Sequence, residues 1–462
     1  MCEGIDINTK IIAVVAVVVI VAAAGGAYLL MSDSSGSKEY STDEYPSRLM
    51  VLGNANLDDY LDERDVAYLE NIIKQEKIDY DNYFMCDANF DKVIDEQDVD
   101  YLKKMIAEQW DDITYAYYVN VDYKVCKFDM TTSKKCITLI APPLDNVLIL
   151  NSSLVVGVDN RITTGKYAEE YNTVLDISKL VDVGNCNDPD KEKISQASKD
   201  NGGEMIVVCG TQESYGPNME EALAGSGVQI LRLPSWEYGA TTQGFITLGY
   251  LLDEQDNAYK YMEWYDGVEK MVQEIIKTIP EKDRPWVAAA YAHTDSLQLL
   301  GEYTGEYANL MKLGVKDVAE KYLNGQQTGG HGNAISNEAV SAMVDQYGMQ
   351  YLIGMVGAPF QTQGEYQAMV NTYNTWKNAI GPALDECEFA ICGYSFSSGV
   401  SEVLNQLILG KYIYPDYFAD VDVEKYVNEY CQFLGIDDKW TYDSMNLLYC
   451  NDPSQDIMNN RG

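Results

Sequence analysis

One stretch constrains the fold more than any other. From Asp253 to Ile279, apolar residues recur at steps of three and four: Ala258, Tyr261, Met262, Tyr265, Val268, Met271, Val272, Ile275, Ile276 and Ile279. This spacing lays one apolar stripe along a helix, and Pro280 ends it because proline cannot continue a helix. At 1.5 Å per residue, a helix over 253–279 is about 40 Å long, enough to reach across two small domains. Short β-branched runs alternate with helical patterns on both sides. Strands are expected at 136–141, 154–158, 205–209, 229–233, 286–291, 351–355 and 389–392. Helices are expected at 218–224, 306–313, 337–346, 365–380 and 399–410. The pattern predicts an α/β protein of two lobes with central parallel sheets, joined by the long helix as a strut. A long helix on the flank of a single α/β domain satisfies the same spacing.

The 462 residues have room for two or three domains, and an apolar fraction of 46% supports packed cores. A formal net charge of −39 repels a phosphate backbone and argues against nucleic-acid binding. It suits an extracellular surface, calcium loading or a salty medium. Only two His occur, His293 and His331, and the chain has no P-loop, GxSxG or HExxH motif. His293 and Asp295 lie two residues apart, which is weak ground for a catalytic triad, so no enzyme is expected. None of the ten Cys forms a CxxC pair, against a zinc or thioredoxin-like reading. Cys126–Cys136 and Cys431–Cys450 are the pairs best placed for disulfides, with free buried thiols as the alternative.

Residues 11–31, IIAVVAVVVIVAAAGGAYLLM, carry no charge and match a bilayer span. Lys10 precedes them and acidic residues follow, which places the N-terminus inside and the body outside. Ala-Gly-Gly-Ala near the end of the run leaves cleavage open. The polar residues 32–48 read as a tether.

An internal repeat follows: NANLDDYLDERD over 54–65 and DANFDKVIDEQD over 87–98. Oxygen side chains fall at loop positions 1, 3, 5, 9 and 12: Asn54, Asn56, Asp58, Asp62, Asp65, then Asp87, Asn89, Asp91, Asp95, Asp98. Position 7 adds a backbone carbonyl, from Tyr60 and Val93. This alternation turns oxygens toward one hard cation such as Ca²⁺, and each loop runs into an amphipathic helix. Two acidic helix caps are the simpler alternative. Residues 49–108 resemble a type I dockerin domain, whose duplicated loops close with Asp at position 12, as Asp65 and Asp98 do. The resemblance implies two Ca²⁺ sites and a cohesin-like or other protein partner. The chain departs from the pattern at position 6, usually Gly but here Asp59 and Lys92. It departs again at positions 10 and 11, often Ser-Thr but here Glu63-Arg64 and Glu96-Gln97.

Ligands bind at loops beyond the C-terminal ends of parallel strands. That rule nominates Asp159, Asn160 and Arg161, then Gln212, Glu213 and Tyr215, then Trp236 and Tyr238, then His293 and Asp295. It also nominates Gly357 and Phe360, then Tyr394 and Phe396. His331 lies in GGHGN, which reads as a flexible loop. Of these, Trp236, Tyr238, His331, Tyr215, Arg161, His293 and Tyr394 are the expected ligand contacts, with ordinary loop or core packing as the alternative for each. Aromatic faces suit a flat macrocycle, and a lone His can ligate haem or cobalt.

The portion over 116–436 resembles the class III solute-binding proteins of ABC importers, the receptors for iron-siderophores, haem and vitamin B12. The matching stretches are the hairpin before the first strand, VVGVDNRI, MIVVCG, LGYLLDEQDNA leading into the long helix, NAISNEAVSAMVDQYGMQYLIGM and ILGKYIYPDYFADVDVEKYVNEYCQFLG. The resemblance implies a lobe over about 136–252, a backbone helix over about 253–279 and a second lobe over about 285–436. Residues 1–10 and 437–462 are then terminal tails. It also implies that Glu220 or Glu221 and Glu306 dock to a permease. The expected protein is a single-pass, membrane-anchored extracellular receptor. It would deliver an iron chelate or corrinoid (siderophore, haem or cobalamin) to an ABC permease. A cell-surface interaction protein that docks a partner through the dockerin-like module is the alternative.

Overall fold

The computed structural model describes residues 48–120, 124–165, 167–236, 240–292, 297–301, 304–323, 331–356, 363–393, 399–435 and 448–450. The expected span 11–31 lies outside these residues, as does the tether apart from Arg48. Among the described residues, no helix is long and apolar enough to cross a membrane.

Eleven helices of eight or more residues are described: α1 Glu63–Ile72, α2 Glu96–Ile106, α3 Ala141–Asn151, α4 Lys191–Asp200, α5 Thr241–Leu251, α6 Gln255–Thr278, α7 Gly305–Lys312, α8 Asn337–Tyr347, α9 Gln363–Ile380, α10 Glu402–Ile413 and α11 Val423–Leu434. The strands are β1 Tyr115–Val119, β2 Val125–Asp129, β3 Cys136–Thr138, β4 Val155–Val158, β5 Val181–Asp182, β6 Met205–Cys209, β7 Val228–Arg232, β8 Trp286–Ala292, β9 Leu297–Leu300, β10 Lys316–Asp317, β11 His331–Ile335, β12 Tyr351–Val356, β13 Glu388–Gly393 and β14 Leu448–Cys450.

The chain divides into two compact units. Unit 1 holds Met1–Ile137, Lys191–Pro234 and Thr242–Ala258; unit 2 holds Thr138–Asp190, Ser235–Thr241 and Tyr259–Gly462.

Unit 1 begins with the repeat. Asp62 and Asp95 cap α1 and α2, each in a capping box closed by the carboxylate three residues on, Asp65 or Asp98. Val66, Leu69 and Ile72 bury one face of α1; Val99, Leu102 and Met105 do the same for α2. The repeat is tied to the antiparallel hairpin β1–β2. Val51 bridges Tyr118, Leu52 N–H donates to the Tyr117 carbonyl (2.8 Å), and Val119 N–H donates to the Met50 carbonyl (2.8 Å). Leu52, Met85, Val119 and Val125 form a small shared core. The Gln229 side chain on β7 then clamps the hairpin, accepting from Asp129 N–H (2.7 Å) and donating to the Asp129 carbonyl (3.0 Å).

In unit 1, β6 and β7 pair in parallel; in unit 2, β4 and β5 pair in parallel. Every residue of β6 is buried, as its continuous apolar run requires.

Unit 2 carries a seven-stranded sheet in the order β11-β9-β8-β12-β13-β14, with β10 also on β8. The three strands expected from sequence, β8, β12 and β13, pair in parallel. Three further pairings correct the purely parallel expectation: β9 pairs antiparallel with β8, β11 antiparallel with β9, and β14 antiparallel with β13. GGHGN is corrected with it, because His331 begins strand β11, in register with Leu300. Tyr373, Trp376 and Phe389 pack under the sheet with Leu352 and Ile391, and the Tyr373 and Phe389 rings stack at 4.9 Å.

The long helix is present as α6, 24 residues. Its stripe is buried as expected, with Tyr261, Tyr265, Val268 and Val272 at 2% exposure or less. All but its first turn belongs to unit 2, where its polar tips find partners. Tyr261 O–H donates to the Val400 carbonyl (2.7 Å) and Trp264 Nε1–H to Glu429 (2.8 Å).

Neither expected cysteine pairing forms. The hairpin register sets Cys126 opposite Tyr118, while Cys136 starts β3 of another sheet and is a free thiol. Cys126 is disulfide-bonded, so Cys136 is not its partner. Cys431 on α11 and Cys450 on β14 are both buried thiols that are not joined in a disulfide.

Candidate cation loops and ligand-contact residues

The two loops of the repeat share one hydrogen-bond scaffold. The position-3 N–H donates to the position-12 carboxylate: Asn56 to Asp65 (3.1 Å), Asn89 to Asp98 (3.2 Å). The position-9 N–H donates to the other oxygen of that carboxylate: Asp62 to Asp65, Asp95 to Asp98, both 2.9 Å. The position-5 N–H donates to the position-3 side chain: Asp58 to Asn56, Asp91 to Asn89, both 2.9 Å. The position-7 N–H donates to the position-5 carboxylate: Tyr60 to Asp58 (2.8 Å), Val93 to Asp91 (2.9 Å). The sequence repeat is therefore a structural repeat. Burial, aided by the neighbouring carboxylates, pushes Asp65 up to about 7 and Asp98 up to about 6 against the pull of their N–H donors. All donors in the set are oxygens, which fits a hard cation. Among the described residues, however, no three carboxylate, imidazole or thiol groups are gathered as a metal-binding cluster.

The loops differ in their contacts at positions 1, 6 and 11. At position 1, Asn54 donates to the carbonyls of Leu49 and Asp58, both 2.7 Å. Asp87 instead accepts from Asp91 N–H (3.0 Å), Lys92 N–H (3.0 Å) and Tyr80 O–H (2.6 Å). At position 6, Lys92 takes the left-handed backbone (φ 76°) that usually calls for Gly, whereas Asp59 does not and is ion-paired with Arg48. At position 11, Arg64 pairs with both Asp58 and Asp62 at 2.9 Å, where Gln97 only donates to Asp95 at 3.3 Å.

Of the expected ligand contacts, Tyr238, His293 and Tyr394 lie outside the described residues, as do Asp295, Gly357, Phe360 and Phe396. His331 is described in its backbone alone. Trp236 follows β7 and is half-buried; a Cβ on Gly305 would lie 3.0 Å from its carbonyl oxygen, a tight approach. Tyr215 is half-buried, and its carbonyl accepts from Arg232 (2.9 Å). Arg161 turns back on its own loop. It donates to Asp159 (3.2 Å) and to the Cys186 sulfur (2.7 Å), and Asp159 in turn accepts from Ile140 N–H (2.6 Å). Its charge thus stabilises the fully buried Asp159 carboxylate.

The docking glutamates fall into different settings. Glu220 pairs with Arg232 at 2.5 Å; burial raises its carboxyl, but that bond and charge hold it below its ordinary range. Glu221 is exposed. Glu306 is 3% exposed, so its carboxylate is not on a surface that a permease could touch.

Two features were missed from sequence. Arg232, inside QILRLPS, organises the loop 215–220 by also donating to the Gly216 carbonyl (2.7 Å). Glu402 begins α10 and is buried in a polar network: it accepts from Tyr265 O–H (3.0 Å) and Asn309 (3.3 Å), and Asn309 accepts from Gln406 (3.0 Å). A Glu at a helix start reads as ordinary dipole pairing, so nothing in the sequence marked it.

No protein-family model matches the sequence, and no curated protein matches it. Solved structures do match. The TroA-like periplasmic binding protein FepB of Veillonella parvula aligns at 12% identity and a TM-score of 0.54, over 73% of this chain and 99% of its own. The molybdate periplasmic binding protein MolA of Haemophilus influenzae aligns at 13% identity and a TM-score of 0.51, over 69% of this chain and 97% of its own. The chain has the TroA-like binding-protein fold. That fold is the α/β architecture with parallel strands expected from the sequence, and the match takes in nearly the whole length of both binding proteins.

Proposed function

We propose that the chain is the substrate-binding protein of an ABC importer, anchored outside the cell by residues 11–31 and specific for a metal chelate. Siderophore, haem and cobalamin are the ligand classes. The observation that carries this reading is the TroA-like fold, which spans 99% of a periplasmic binding protein, joined to the family-like stretches in the same order along the sequence. Such a protein works by reversible capture, and no bond in the ligand is made or broken. Trp236 and Tyr215 are half-buried beyond strand ends, where an aromatic face can meet a flat ligand. Among the docking glutamates, exposed Glu221 is the one we assign to permease contact.

The repeat is read as a calcium module. In the second loop Asp87, Asn89, Asp91, Asp95, Asp98 and the Val93 carbonyl would hold the ion; in the first, the corresponding groups are Asn54, Asn56, Asp58, Asp62, Asp65 and the Tyr60 carbonyl. A bound cation supplies positive charge that relieves repulsion among the carboxylates.

The test is a fluorescence titration of the full chain in detergent against cobalamin, haemin, a ferric siderophore panel and molybdate. One chelate should bind with sub-micromolar affinity, and Trp236→Ala should weaken it at least tenfold. Molybdate binding alone would replace the chelate with an oxyanion, and no binding at all would sink the import reading.

A further inference from the structure

We propose that Arg64 is the resident cation of the first loop, so that the two halves of the repeat are unequal: the first is closed by a guanidinium and the second alone takes a divalent ion. This rests on the calcium reading of the repeat. The guanidinium bridges positions 5 and 9, reaching Asp58 and Asp62 at 2.9 Å each, and these are two of the carboxylates that the repeat offers to a cation. Arg stays charged at any physiological pH and its planar fork suits two carboxylates at once.

The difference at position 1 acts in the same direction. Asn54 supplies an uncharged side chain at position 1 and uses its Nδ2–H groups on the carbonyls of Leu49 and Asp58; its counterpart Asp87 is a carboxylate. At the ligand positions the first loop therefore carries three carboxylates (Asp58, Asp62, Asp65) against one guanidinium. The second carries four (Asp87, Asp91, Asp95, Asp98) with a neutral Gln97 at position 11. Lys92, the basic residue of the second loop, holds its ammonium over the Phe90 ring at 3.3 Å. Asp59 at position 6 is paired with Arg48, so the first loop is also fastened from its other side. A divalent ion entering the first loop would have to expel Arg64 or sit beside it, and like charges at that range repel.

The experiment is calorimetric titration of the chelator-stripped full chain with Ca²⁺, comparing wild type with Arg64→Gln, which copies the second loop's residue on a half-exposed side chain and leaves the core untouched. Asp58→Asn and Asp91→Asn assign the sites. Wild type should take one equivalent, retained in Asp58→Asn and lost in Asp91→Asn. Arg64→Gln should take two, falling to one when Asp58→Asn is added. Two equivalents in wild type, or one in both wild type and Arg64→Gln, overturns the proposal. None in wild type but one in Arg64→Gln, abolished by Asp58→Asn, upholds the role of Arg64 while removing the second loop as a calcium site. None in either protein overturns both readings.

Discussion

Glu402 shows how far a single side chain can depart from its sequence context. It is 7% exposed and faces Tyr265 and Glu269 from α6, Asn309 and Lys312 from α7 and Gln406 on its own helix. Burial pushes its carboxyl up, and Glu269 adds to this; Lys312 and the two donors pull it down without reversing the shift. The raised folded value fixes the sign. The protonated form is favoured by the fold, so the stability it contributes is complete below the ordinary carboxylate range and is lost as pH rises through the raised value. Glu402→Gln should therefore raise the melting temperature at pH 8, by about 2–4 °C for each kcal/mol relieved, and the gain should vanish at pH 4. A gain of equal size at both pH values would show that charge is not the cause. At Gly244 the argument is steric. A Cβ there would overlap the Pro234 carbonyl oxygen, a backbone atom that cannot swing away. Gly244→Ala should cost about 1–3 kcal/mol in denaturant unfolding; a change within about 0.5 kcal/mol would contradict the packing described. Glu402 did not stand out in the sequence, because Tyr265 and Asn309 lie far along the chain. The repeat was legible for the opposite reason: the hydrogen bonds that close each loop lie within twelve positions.

At the scale of elements, periodic runs were read well and edges poorly. The long helix, β6, β8, β12 and β13 fall where apolar spacing put them. Helix α3 was missed because APPLDNVLILN continues the apolar character of the strand before it; Pro142 and Pro143 at its first turn were the available signal. Strands β9, β11 and β14 were missed because runs of three to five residues are too short to show alternation, and their antiparallel pairing is a tertiary choice. The repeat shares a core with the hairpin. Phe90, at position 4 of the second loop, lies against Tyr117 of β1 with ring centroids 5.4 Å apart. An ion in that loop should therefore steady the hairpin as well as α2. Hydrogen exchange on the full chain should show α2, β1 and β2 losing at least tenfold protection when calcium is stripped, while α8 in unit 2 stays unchanged. Protection lost in α2 alone would mean that the loop and hairpin are not coupled.

For the whole molecule, the TroA-like fold and the order of family-like stretches agree, although identity with the solved binding proteins is only 12% and 13%. Fold alone does not fix function, because one architecture serves many sites. What separates a receptor from an enzyme on a similar scaffold is the fate of the ligand. The most direct measurement is native mass spectrometry of the full chain with the tightest-binding member of the chelate panel, followed by release and weighing of the ligand. The account predicts a one-to-one complex whose ligand leaves with its mass unchanged and whose abundance falls in Trp236→Ala. Absence of any complex, or a ligand released with altered mass, would contradict it.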